Sequence, residues 1–171
     1  MKLLLENWRE YLREGPESKR YFWQTRGPWK AESQIDFGVT HVPRANPRGK
    51  LAGRAEEIFE EVRREQFPDR PSRLDCVFLC ENLEGMEGRS FCSYPARNDG
   101  ETYEVELRGN YNIFKTDSEY WTEAVWRGED EENVRRWAEE YWKGPDEGGP
   151  IFAEILVSPP EAAVIIRKYE E

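Results

Sequence analysis

An α+β domain is what this sequence predicts, on three observations. Segments with apolar residues at helical spacing are set apart from segments that alternate with period two, and the latter are bounded by turn formers as in hairpins. No Gly-rich phosphate loop joins a strand to a helix, so neither a Rossmann nor a P-loop unit is present. The 171 residues suffice for one domain with a sizeable core and are short for two. The expectation is a single domain over 1–171, with a mixed or antiparallel sheet, hairpins and segregated helices.

The elements follow in order. Leu4, Leu5, Trp8, Tyr11 and Leu12 share one face, which predicts an N-terminal helix over 1–15 that "EGPES" ends. "KRYFWQTRGPW" is an aromatic strand closed by Gly27 and Pro28. Residues 38–53 carry Gly, Pro and Asn throughout and predict a long loop. "RAEEIFEEVRRE" is helical, with Ile58, Phe59 and Val62 inward and acids leading bases along it. "FPDRPSR" breaks that helix and feeds Cys76–Val77–Phe78–Leu79–Cys80, a buried strand.

In "ETYEVELRGNYNIFKT", Tyr103, Val105 and Leu107 face one way while Glu104 and Glu106 face water. Gly109-Asn110 separates this strand from the next. "DSEYWTEAVWRG" and "DEENVRRWAEEYWKG" are two helices, the second with Val134, Trp137, Ala138 and Tyr141 inward. The chain ends in two strands, expected to form a hairpin around Ser158-Pro159-Pro160.

Bulk properties exclude several classes. The net charge of -10 argues against a general nucleic-acid-binding face and suits solubility, or binding to a basic partner. "MKLLLENWREYLREG" is no signal peptide, and no apolar stretch approaches membrane-spanning length. Three cysteines make no disulfide framework, and with one histidine a zinc site would need carboxylates, so no metal is expected. Cys76 and Cys80 are expected as buried, reduced, unliganded thiols in a cytoplasmic protein.

Two places could carry chemistry. "RPSRLDCVFLCENLEG" puts Ser72 and Arg73 at the start of a buried strand and Glu81 and Asn82 at its end. Glu154 stands alone in the apolar run Phe152 to Val157, where a carboxylate is costly to bury unless it is paired or lies in a cleft. The bland alternative is an edge-strand glutamate facing water. His41, the sole histidine, falls in the long loop, where a solvated role is the ordinary one.

The combination of "IFEEVRREQFPDRPSRLDCVFLC", "YEVEL", "YWKG" and "AEILVSPPEAAVII" resembles small bacterial and phage proteins of the ADP-ribosyltransferase-like superfamily. The resemblance covers residues 21 to about 167. It implies an ADP-ribosyltransferase-like core, NAD as cofactor and substrate, and an acceptor that is a protein or a nucleic acid. Glu154 matches the catalytic glutamate. Ser72, Arg73 and Phe78 match a strand approached through Pro-Ser-Arg that walls the NAD cleft. The first motif is Phe22-Trp23-Gln24-Thr25-Arg26-Gly27, in which Gln24 or Arg26 takes the place of the usual leading residue and Thr25 follows. The opening "MKLLLENWREYL" is similar to the start of many tailed-phage proteins, which implies the cytoplasm of a host cell.

The implied chemistry is coherent. Breaking the nicotinamide–ribose bond builds an oxocarbenium-like centre that a positioned carboxylate stabilises. Arg73 would pair with the pyrophosphate, and an aromatic such as Phe78 or Tyr103 would stack on nicotinamide. The rival reading is a non-catalytic acidic interaction protein, an inhibitor of a host enzyme or a small virion component. Its support is the net charge and the lack of a first-motif histidine.

Overall fold

The long apolar runs and the alternating ones have different places in the molecule, and this sets the architecture. The computed structural model describes residues 19–25, 29–35, 54–81, 101–145 and 153–169. Six strands are present there: β1 (Arg20–Thr25), β2 (Val77–Leu79), β3 (Glu101–Leu107), β4 (Asn112–Asp117), β5 (Ala153–Ser158) and β6 (Ala163–Lys168). Three α-helices accompany them: α1 (Ala55–Gln66), α2 (Glu119–Arg127) and α3 (Glu131–Lys143). The result is a single small α+β domain with two antiparallel sheets, ordered β1-β3-β6 and β2-β5-β4.

The β2-β5-β4 sheet lies in the middle of three layers. Phe78, Phe114 and Leu156 pack with Ile58, Phe59, Ala124, Val134 and Trp142 of the helices. Val77, Leu79, Ile155 and Val157 pack with Tyr21, Trp23, Tyr103, Val105 and Ile165 of the other sheet. Buried on both faces, β2 therefore reads as an unbroken apolar run, and β5 as one interrupted only by Glu154. The outer sheet alternates, because only one face of β3 enters a core. Phe22 and Cys80 join the sheets through a pair of backbone hydrogen bonds of 2.8 and 2.9 Å.

The helices form where period and capping predict them. The Asp130 side chain accepts from Asn133 N–H at 2.8 Å and so caps α3. Between α2 and α3, a Cβ on Gly128 would lie 2.4 Å from the Ala124 carbonyl oxygen and 2.7 Å from Val134 Cγ2. Only glycine permits that close approach. On α3 the inward side chains are Val134, Ala138, Tyr141 and Trp142, with Trp137 half-buried at the margin.

Three expectations are corrected. The final strands form no hairpin: β5 belongs to the middle sheet and β6 to the outer one, so Ser158-Pro159-Pro160 carries the chain between layers. The same holds for Gly109-Asn110, which links β3 to β4 across the sheets. Glu104 is buried and does not face water, because Arg20 and Arg167 on the flanking strands close over it at 2.7 and 2.6 Å. The third correction concerns the thiols. Cys76 is free and buried, whereas Cys80 is disulfide-bonded, its partner lying outside the described residues.

A thiol count checks this. With three cysteines in the chain, denaturation without reductant should release one reactive thiol, and prior reduction should release three. In the native state Cys76 should label slowly, because burial pushes its thiol well up. Three thiols before reduction would overturn the assignment. The expected N-terminal helix, the 38–53 loop, His41 and Arg26 lie outside the described residues.

Candidate functional site

The segment between α1 and β2 is held by a polar clasp. Ser72 Oγ accepts from Leu74 N–H at 3.1 Å and opens a short 3-10 turn, Arg73–Asp75. The same hydroxyl donates to Glu60 Oε2 at 2.9 Å. Glu60 also takes bonds from Arg63 at 2.8 and 2.9 Å and from Arg64 at 2.9 Å. Arg63 in turn reaches the carbonyls of Pro68 and Arg70. Burial pushes the Glu60 carboxyl up, but the bonds from Arg63, Ser72 and Arg64 outweigh it and hold the group below the ordinary glutamate range.

A pH prediction follows from that sign. A carboxyl depressed in the folded state stabilises the fold above its unfolded range and loses that contribution as pH falls through the folded value. Glu60→Gln should therefore cost most at neutral pH. The gap to wild type should narrow through the acid range in urea titrations at successive pH values. A pH-independent gap would refute the linkage.

The 3-10 turn directs Arg73 inward, and the arginine is 2% exposed. Its Nη1 donates to Glu154 Oε2 at 2.8 Å and to the Tyr141 hydroxyl, and its Nε donates to Glu56 Oε1 at 3.0 Å. Tyr141 donates to the same Glu154 oxygen at 2.6 Å. The guanidinium carbon lies 4.4, 4.8 and 5.0 Å from the ring centroids of Trp121, Phe78 and Tyr141. Burial opposes the charge on Arg73, yet Tyr141, Glu56 and Glu154 together raise its pKa well above the usual value. Burial also pushes the Tyr141 phenol well up, so it stays protonated and acts as donor to Glu154.

Of the residues the sequence singled out, Glu154 and Arg73 are brought together. Glu154 is 5% exposed on a central strand, not a water-facing edge residue. Its Oε2 takes both bonds, and Oε1 takes none from the described residues. Ser72 and Phe78 have internal partners, Ser72 in the Glu60 clasp and Phe78 under the guanidinium. The Arg73 guanidinium meets carboxylates where the resemblance implies a pyrophosphate. Gln24 and Thr25 lie on β1 opposite Thr102 and Glu101.

Strand register relates these elements. Phe22 bridges Cys80, and the β2–β5 register, continued by one residue, sets Cys80 opposite Glu154. One row thus crosses β1, β2 and β5, with Gln24 two residues along β1 from Phe22. Sequence reasoning missed Tyr141, Glu56 and Trp121 as members of the cluster. The inward face of α3 was a signal for Tyr141, but its hydroxyl partner lies on a strand the period cannot name.

Among the described residues no cluster of His, Cys, Asp and Glu could hold a metal ion. No described helix is long and apolar enough to cross a membrane. The class defined so far is a two-sheet α+β domain built over a buried Arg–Glu–Tyr cluster. The model of a family described as a protein of unknown function (DUF2441) matches residues 48–169, and the chain belongs to that family. The matched stretch takes in Ser72, Arg73, Phe78, Tyr141 and Glu154 and leaves out β1. No curated protein matches the chain.

Proposed function

We propose that the chain is an ADP-ribosyltransferase-like domain that cleaves the nicotinamide–ribose bond of NAD, with Glu154 as its carboxylate. The observation that carries this reading is the row across β1, β2 and β5. The strand of the implied first motif, the implied wall of the cleft and the strand bearing the implied catalytic glutamate are neighbours, though far apart in sequence.

The bond from ribose C1′ to nicotinamide breaks, and nicotinamide leaves with the electron pair as a neutral molecule. A nucleophile of a protein or nucleic-acid acceptor, or water, bonds to C1′ and gives up a proton. Glu154 stabilises the positive charge that builds on the ribose in between. Arg73 in this reading braces the carboxylate and does not touch the pyrophosphate; the resemblance alone implies Gln24 or Arg26 and Thr25 as NAD contacts.

A second reading, the acidic interaction protein, is favoured by the burial of Glu154 against Arg73 and by the net charge of -10. Incubation with NAD labelled in the adenosine portion separates the two. Release of nicotinamide with labelled ADP-ribose, free or on an acceptor, supports the enzyme. Absence of NAD binding in calorimetry supports the interaction protein.

A further inference from the structure

We infer that Tyr141 is a positioning residue that fixes which oxygen of Glu154 faces the substrate. The inference rests on the reading of Glu154 as the reactive carboxylate and adds to it a residue and an orientation.

The geometry is specific. Tyr141 projects from α3 into the helix-side core, 0% exposed, and its ring is held edge-on by Phe59 at 5.3 Å and Trp142 at 4.8 Å. Its hydroxyl donates to Glu154 Oε2 at 2.6 Å and accepts from Arg73 Nη1, which itself donates to Oε2. Tyr141 Oη, Arg73 Nη1 and Glu154 Oε2 thus form a closed triangle of hydrogen bonds. A carboxylate anchored through one oxygen cannot rotate freely, so the other keeps a fixed direction. Oε1 takes no hydrogen bond from the described residues, which suits it to a ribose hydroxyl or to the charge at C1′.

Tyr141→Phe in the full chain tests this, since it removes the hydroxyl and keeps the ring packing. NAD turnover and KM are measured on wild type, Y141F, E154Q and the double variant, with rates scaled to the folded fraction by circular dichroism. Loss of a charge-assisted hydrogen bond should lower kcat by about 10- to 100-fold and leave KM for NAD unchanged. Adding Y141F to E154Q should cause no further loss, because the phenol acts only through Glu154. If Y141F turns over NAD at the wild-type rate, or if the losses in the double variant multiply, Tyr141 is a core residue and the inference fails alone. If wild type does not turn over NAD, the reading of Glu154 fails and takes the inference with it.

Discussion

Replacing Arg73 with methionine is expected to lower stability by about 3–5 kcal/mol, the usual cost of leaving a buried partner charge uncompensated. Among the described residues the guanidinium meets both Glu154 and Glu56 inside the fold, and the three rings around it leave water little access. Methionine fills much of the volume and supplies no charge. For a chain of this length each kcal/mol moves the melting temperature by roughly 2–4 °C, so a drop of about 6–20 °C should be seen. Urea denaturation with an unchanged slope gives the free energy directly. Adding Glu56→Gln and Glu154→Gln to R73M should recover part of the loss, since removing all the charges lifts the penalty that removing one creates. A loss below about 1 kcal/mol for R73M would show that water reaches the site, whatever the static geometry.

The sequence revealed faces better than neighbours, for a physical reason. Ile58, Phe59 and Val62 stand at helical spacing, and α1 buries all three. Tyr103 and Val105 alternate with glutamates, and the inner face of β3 is made of them. Period two states which face a residue takes but is silent on which strand lies alongside. The turns at Gly109-Asn110 and Ser158-Pro159-Pro160 looked like hairpin turns for that reason, though each connects different sheets. Glu104 shows the same limit from another side. It does point out of the core, and the two arginines that cover it come from strands whose register only the fold sets.

The site was legible to the extent that single residues stood out against their surroundings. Glu154 in an apolar strand and Arg73 before another were each improbable alone, and the fold places them 2.8 Å apart. Their mutual compensation explains why both are tolerated in the interior. Tyr141 and Trp121 gave no such contrast, because an aromatic residue on the inner face of a helix is ordinary core until its hydroxyl or ring face finds a charge. The disulfide at Cys80 was also illegible, since cysteine spacing along the chain does not fix pairing.

Glu154→Gln is expected to separate catalysis from folding. If Glu154 stabilises the cationic transition state, removing its charge while keeping its shape should slow NAD turnover by about 10²–10³-fold, or roughly 3–4 kcal/mol. The same change should cost stability too, because the carboxylate is buried against a guanidinium. That cost should be smaller than for R73M, on the order of 1–3 kcal/mol, since Arg73 keeps Glu56 and an amide oxygen still accepts from Tyr141. Both readouts are needed, as a destabilised variant loses activity for trivial reasons. Nicotinamide release at a temperature well below the melting point of the variant isolates the chemical effect. Equal rates in wild type and E154Q would remove Glu154 from the reaction and leave it as the internal partner of Arg73. No NAD binding by wild type, together with the stability loss in E154Q, would make the buried cluster purely structural. The acidic surface would then be the place to look for function.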